Sequence, residues 1–373
     1  LMRILVATDA FRPQVNGVVR SLESLAKAAP DCGAEITFLS PAGFRTIPLP
    51  TYSEIRLALV GSGDVARRMA QDPVDHIHIA TEGPVGFAAR RYCLRKGMSF
   101  TTSYHTRFPE YIAARTPVPE WLTYAALRRF HNAGNGMMVS TSTLARELSA
   151  RGFERLMPWS RGVDHLLFNP DHRAAWDLPR PIFLYAGRLA PEKNVEAFLA
   201  LDLPGSKVVV GEGPSSLSLR KAYPRAHFLG LRTGADLASL YASADVFVFP
   251  SKTDTFGMVL LEAMASGLPV AAFPVTGPLD VIGDSGAGVL NQDLRVACLA
   301  ALDIPREAAR AHAMTYTWAQ ATRQFLNNIR EAKAAYAGGR RRVPAQAPPA
   351  AQQTPAVSAK KSGFLGQGQT IKP

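Results

Sequence analysis

The 373-residue chain is long enough for two domains of ordinary size, and 47% hydrophobic with 19% charged residues is a globular composition, not a disordered one. The formal net charge is +12, with 20 Lys/Arg against 14 Asp/Glu over residues 1–165, 16 of each over 166–337, and six basic residues without an acid over 338–373. Such a surface attracts polyanions: nucleic acid, an anionic bilayer or phosphorylated substrates.

The chain opens on a β-run, MRILVAT, followed by the loop DAFRPQVNG and a helical pattern from Val18 to Ala28. The opening LMRILVATDAF lacks the basic n-region, h-region and cleavage site of a signal peptide, which predicts a cytoplasmic protein. AEITFLS, HIHIAT (76–81), SFTTSYHT (99–106) and GMMVSTS (136–142) continue the strand signal, the last leading into the helix LARELSARG. An aperiodic Pro/Asp/Arg-rich stretch follows, placing a linker at 166–180 between a first domain, 1–165, and a second, 181–337. The alternation then restarts with PIFLYAG (181–187), KVVVG (207–211), HFLG (227–230), DVFVFP (245–250) and LPVAAF (268–273). A last helix pattern runs from Trp318 to Ala335 and is expected to pack back towards the first domain. The Pro/Ala/Gln-rich basic tail, 338–373, is predicted to be disordered.

No apolar run reaches the length of a membrane span, because Asp245 and Glu262 interrupt the best candidates. Cys32, Cys93 and Cys298 form no C-x-x-C and read as small buried hydrophobes. Strands alternating with helices predict α/β architecture: two doubly wound, Rossmann-like domains facing a central cleft. Ligands of such sheets bind beyond the C-terminal strand ends, so the residues just after strands are the ones to inspect.

After the first strand, Asn16-Gly17 precedes a helix. It is either a turn with an Asn cap or a site where free amides meet an anion. YHTRFPEY places His105 at a strand end, with Arg107, Glu110 and Tyr111 nearby, where an imidazole can orient a hydroxyl or stabilise charge. GRLAPEKN brackets a strand end with Arg188 and Lys193, two cations suited to a diphosphate or simply to a solvated loop. GEGP supplies Gly211 and Gly213, a weak signal alone. A nicotinamide fingerprint is absent, since Ser216 stands where its third Gly belongs, and no D-x-D exists to clamp a metal-bound diphosphate. In SKTDTFGMVLLEAMASGLPV, Asp254 lies in a loop after a strand. Glu262 lies about two turns along a helix from Phe256 to Ser266, where two ribose hydroxyls would suit it as donors.

Taken together, NGVVRSL, YHTRFPEY, SRGVD, GRLAPEKN, GEGP and DTFGMVLLEAMASGLPV resemble the retaining glycosyltransferases of the GT-B fold, glycosyltransferase family 4, over roughly residues 2–335. The last of these resembles the family's E-x7-E signature, with Asp254 where much of the family has Glu. The resemblance implies that His105, Arg188, Lys193 and Asp254 serve catalysis. It implies that Gly17, Gly187, Gly211, Gly213, Leu229, Phe256, Gly257, Met258, Val259 and Glu262 bind the donor. Asn16, Arg107 and Tyr111 would face the acceptor. It further implies a nucleoside-diphosphate sugar, UDP- or GDP-linked, as substrate, with no cofactor and no metal. The basic first half, including Arg67-Arg68, Arg90-Arg91, Arg95-Lys96 and Arg128-Arg129, together with the apolar Tyr111–Phe130 segment, suits docking on an anionic membrane face. A membrane-lipid acceptor, diacylglycerol or a phosphoinositide-type glycolipid, is therefore expected. The alternatives are a soluble or polysaccharide acceptor, a nucleotide-sugar 2-epimerase of the same shape, and a non-catalytic polyanion-binding protein. Nucleic acid is not expected, since no RNP, helix-turn-helix or finger signature is present.

Overall fold

A computed structural model describes residues 1–338 except 13, 15, 50, 51, 114 and 115, so the basic tail from 339 onward lies outside the described residues. The first domain holds β1 (Met2–Ala7), β2 (Ala34–Leu39), β3 (Thr46–Leu49), β4 (Tyr52–Ala58), β5 (His76–Ile79), β6 (Phe100–Tyr104), β7 (Met137–Val139) and β8 (Leu156–Pro158). Its α-helices are α1 (Gly17–Ala28), α2 (Ser62–Gln71), α3 (Pro84–Lys96), α4 (Phe108–Ala113), α5 (Glu120–His131) and α6 (Ser142–Ala150). The second domain holds β9 (Ile182–Ala186), β10 (Ser206–Val210), β11 (His227–Phe228), β12 (Val246–Phe249), β13 (Val270–Ala272) and β14 (Gly288–Leu290). Its helices are α7 (Val195–Leu199), α8 (Ser216–Ala222), α9 (Gly234–Ser243), α10 (Met258–Ala265), α11 (Pro278–Val281), α12 (Leu294–Ala301) and α13 (Arg306–Ala313), and α14 (Trp318–Ala337) ends the described chain.

Both six-stranded sheets are parallel, in the orders β2-β1-β5-β6-β7-β8 and β11-β10-β9-β12-β13-β14. Side chains alternate across each sheet with the period of two that a strand imposes. Ile4 and Val6 of β1 face one core and Leu5 and Ala7 the other; in β9, Leu184 and Phe183 divide in the same way. Chain order reverses between β1 and β5 in the first sheet and between β9 and β12 in the second, and at such switch points the loops diverge and leave a crevice. The antiparallel hairpin β3–β4 stands outside both sheets and was not anticipated from the Pro-containing segment that forms it.

Helix α14 lies on the first domain. Phe325, Leu326 and Ile329 are fully buried against Ile4, Val6 and Trp159, each side chain contributing about 2 kcal/mol of transfer free energy. The amide of Val163 donates to the Tyr316 carbonyl at 3.2 Å, so the outgoing and returning connections run side by side.

Candidate functional site

The loop after β12 and the loop after β9 meet at the second sheet's switch point. The Asn194 side chain donates to the Pro250 carbonyl at 3.0 Å, and the Thr253 hydroxyl to the Glu192 carbonyl at 3.2 Å. This stapling brings Lys193 Nζ to 2.5 Å from Asp254 Oδ1, while Asp254 Oδ2 is buried without a hydrogen-bond partner. Burial pulls the Asp254 carboxyl upward, but the Lys193 ammonium and the nearby Ser251 hydroxyl together outweigh it and leave the pKa below the usual value. Arg188 is half-buried on the same loop, and its carbonyl accepts from the Tyr185 hydroxyl at 2.9 Å.

Two glycines let the loop after β10 touch the loop after β9. A Cβ on Gly211 would lie 1.9 Å from the Gly187 carbonyl oxygen, and one on Gly213 would lie 2.3 Å from that of Leu189. Gly211 and Gly213 are thus accounted for by backbone meeting backbone, whereas a Cβ on Gly187 would lie 2.8 Å from the Tyr185 hydroxyl oxygen. Leu229 follows β11, half-buried against the core.

Gly257, at φ +86°, turns the chain into α10 and offers no side-chain cap. Phe256 is buried in the core, and Met258 and Val259 are half-buried in the first turn, whose amides have no acceptor within the helix itself. The helix starts at Met258, later than the expected Phe256, so Glu262 sits little more than one turn along. Glu262 is buried, ion-paired with Arg20 of α1 from the other domain, and accepts from the Tyr241 hydroxyl at 3.3 Å. Burial raises its pKa, and the Arg20 guanidinium opposes the rise. Its partners are protein groups, not open space awaiting a ribose.

Across the cleft, the Asn16 side chain caps α1, accepting from the amides of Val18 and Val19 at 3.0 Å each. Gly17 is exposed and faces Met258, whose Cγ would lie 3.9 Å from an added Cβ. His105 ends β6. Its Nδ1 is 3.0 Å from Arg161 Nη2, its Nε2 is buried without a partner, and its carbonyl accepts from the Thr255 hydroxyl at 2.9 Å. Burial first, and then the Arg161 cation, hold this imidazole well below its usual pKa. Arg107 is engaged by two carboxylates, Glu110 at 3.2 Å and Glu147 at 2.8 Å. Tyr111 belongs to α4, but its side chain lies outside those described.

Arg188, Lys193, Asp254, Gly257, Met258, Glu262, Gly17 and His105 are therefore distributed along one interdomain cleft. Arg107 is tied into an ion-pair network that reaches the second domain through the Thr276 hydroxyl, 2.8 Å from Glu147. Sequence reasoning missed three participants. Arg20 interrupts the apolar pattern VVRSL; Arg161 lies within SRGVD; Tyr241 carries no local signal. Among the described residues, no group of three or more His, Cys, Asp or Glu is arranged to hold a metal.

A family model described as Glycosyltransferase Family 4 matches residues 15–165, and one described as Glycosyl transferases group 1 matches 180–303. A GDP-mannose-dependent alpha-mannosyltransferase of Mycobacterium tuberculosis is 31% identical over 316 residues, 78% of this chain and 83% of that protein. Sulfoquinovosyl transferase SQD2 of Arabidopsis thaliana is 30% identical over 318 residues, 76% of this chain and 62% of that protein. Sucrose-phosphate synthase from Thermosynechococcus elongatus superposes with a TM-score of 0.72 at 19% identity, covering 90% of this chain and all of that one, a likeness of fold.

Proposed function

The chain belongs to glycosyltransferase family 4, has the GT-B fold and uses a nucleotide-sugar donor, and from that premise we propose that it transfers a hexose to a membrane-lipid hydroxyl with retention of anomeric configuration and without a metal. GDP-mannose is the first donor to test, given the M. tuberculosis relative's name. The demanding event is departure of the nucleoside diphosphate. Negative charge growing on the phosphate would be stabilised by Arg188, Lys193 and the first-turn amides of α10. Asp254, with one oxygen on Lys193 and the other unpartnered, would take a sugar hydroxyl. The acceptor attacks from the leaving-group face and passes its proton to the departing phosphate. For Glu262 to reach the ribose, Arg20 must swing away, so donor binding would exchange one partner of Glu262 for another.

The observation that carries the lipid acceptor is an apolar and basic face shared by α3 and α5. Phe87 (53% exposed), Arg91 and Leu94 recur at helical spacing on α3, and Trp121 (69% exposed), Leu122 and Arg129 recur on α5. Arg90 joins the two helices by donating to the carbonyls of Arg129 and Phe130, each at 3.1 Å. Among the described residues, Arg91, Arg95, Lys96, Arg128 and Arg129 form no ion pair, whereas Arg67 and Arg68 are neutralised by Asp64 and Asp72. No described helix is long and apolar enough to cross a membrane, so contact through this face would be peripheral, at an anionic leaflet.

The test is incubation with a panel of GDP- and UDP-sugars, with and without anionic vesicles containing diacylglycerol or phosphatidylinositol, in buffer with and without EDTA. Labelled sugar in the lipid phase with one donor, unaffected by EDTA and with the anomeric configuration kept, is the expected result. Nucleotide release without lipid product would move the acceptor to a soluble molecule or polysaccharide. Conversion of the donor to an epimer without transfer would overturn the proposal.

A further inference from the structure

Arg161 is a buried cation without a counterion. It is 5% exposed, and among the described residues no carboxylate pairs with it. One terminal nitrogen, Nη1, donates to the carbonyls of Trp159 at 2.8 Å and Ser160 at 3.1 Å, and the guanidinium lies 4.1 Å from the centre of the Trp159 ring. The other, Nη2, is directed at Nδ1 of His105, 3.0 Å away. Burial lowers the Arg161 pKa to about 9, which leaves it protonated at neutral pH.

A guanidinium has donors only, so the nitrogen it addresses must present a lone pair. Nδ1 of His105 is thereby the acceptor, and the single proton of the neutral ring belongs on Nε2. That atom is the buried one for which the protein provides no partner. We propose that Arg161 is a positioning residue that holds His105 as a neutral Nε2–H donor, pre-aimed at an oxygen of the transferred sugar.

The substrate half of this statement rests on the glycosyltransferase reading above; the ring state does not. It also assigns His105 a chemistry: it donates, and does not act as a general base. The groups facing the ring are Arg161 from the loop after β8, His78 on β5 and His131 on α5, with the Trp159 ring at 5.8 Å. His78 is spoken for by Thr101 and Ser103, each at 2.8 Å, and His131 by Thr102 at 2.8 Å and Glu82 at 3.0 Å. Arg161 is the only one of the three that reaches His105 itself through a hydrogen bond among the described residues.

The deciding measurement is long-range proton–nitrogen NMR of the ¹⁵N-histidine-labelled full chain, with His105 assigned by its loss in H105Q. The expected spectrum shows bare Nδ1 and protonated Nε2 from about pH 6 to about pH 8. Arg161→Met should release the ring to exchange tautomers and should raise its pKa, with burial still holding it below the ordinary value, and Arg161→Lys should restore part of the lock. In the sugar-transfer assay, R161M should lose about tenfold or more in kcat and gain an acid limb that the parent lacks. An Nδ1–H tautomer or an imidazolium in the parent at neutral pH overturns the proposal, as does an unchanged ring in a folded R161M. Should R161M fail to fold, the parent spectrum and R161K carry the decision. Failure of the transfer assay alone would count against the glycosyltransferase reading, while the tautomer seen in the spectrum would still decide the role of Arg161.

Discussion

Arg20→Met tests the ion pair that crosses the cleft. The substitution keeps much of the side chain's apolar volume and removes the guanidinium from Glu262, which is 1% exposed and would retain only the Tyr241 hydroxyl at 3.3 Å. Breaking a fully buried pair costs about 3–5 kcal/mol. The Arg20 side chain is 37% exposed, so solvent screens it, and the loss is discounted to about 1–3 kcal/mol. The loss should depend on pH in a definite direction. Burial raises the Glu262 pKa and Arg20 is the main group holding it down, so the variant's carboxyl rises further. Folded protein then keeps a proton that the unfolded chain has already released. Stability therefore falls as pH climbs from the unfolded value, about 4.3, and levels off above the folded one. Urea unfolding at about pH 5 and about pH 8 should show the gap between parent and R20M widening at the higher pH. E262Q buries a neutral amide instead of a lone charge and should cost less than R20M at about pH 8. Equal gaps at both pH values, or an E262Q more damaged than R20M, would refute the account.

Lys193→Met removes the main group opposing burial at Asp254, so the Asp254 pKa should rise. The depressed value in the parent stabilises the fold above the unfolded pKa, about 3.9, and that contribution is lost as pH falls through the folded value. In K193M it should be missing at neutral pH, and transfer should drop by about 100-fold or more, read as product formed with saturating donor. Gly211→Ala places a Cβ 1.9 Å from the Gly187 carbonyl at φ +130° and should cost at least about 2 kcal/mol, measured by thermal unfolding. Reversing the proposed membrane face with R128E/R129E should cost about 1–2 kcal/mol of stability, since Arg128 donates to the Arg151 carbonyl at 3.0 Å and both lie in the last turn of α5. It should weaken binding of the folded protein to anionic vesicles by about 30-fold or more, each lost arginine being worth about 1 kcal/mol near the surface. Unaltered sedimentation with such vesicles would remove the α3–α5 face from the proposal.

The doubly wound pattern was legible because each core strand announces itself: MRILVA, IFLYA and VFVF are apolar on both faces, as parallel strands covered by helices must be. Asp254 and Glu262 stood out as carboxylates close to apolar runs. Their partners did not stand out, because partnership is a property of tertiary structure. Nothing near Arg20 in the chain points to a residue 242 positions away, and Tyr241 reads as one more core aromatic. The glycines of GEGP are a weak signal alone and fall to the donor only by resemblance, whereas the first use the fold makes of them is room for neighbouring backbone. The hairpin β3–β4 was missed because its first strand carries a proline and both strands lie outside the main sheets.

The loop from Ser251 to Gly257 links these features into one device. From its own domain it is held by Lys193 on Asp254 and by the Thr253–Glu192 contact. From the first domain it is held through Thr255, whose hydroxyl donates to the His105 carbonyl at 2.9 Å and whose own carbonyl accepts from the Ser140 hydroxyl at 3.3 Å. One turn further on, Glu262 meets Arg20. The Thr255 contacts are polar and part-buried, each worth about 0.5–1.5 kcal/mol net, and the Arg20–Glu262 pair adds about 1–3 kcal/mol, so no single contact locks the cleft. Opening the domains would release Thr255 from His105 and Glu262 from Arg20 together, and closing them would restore both. A donor that takes Glu262 from Arg20 while engaging Asp254 would thus bind to the same loop–helix element whose outer side positions His105. Donor occupancy, loop geometry and the position of the His105 backbone would then be coupled through the seven residues of this loop and the first turn of α10.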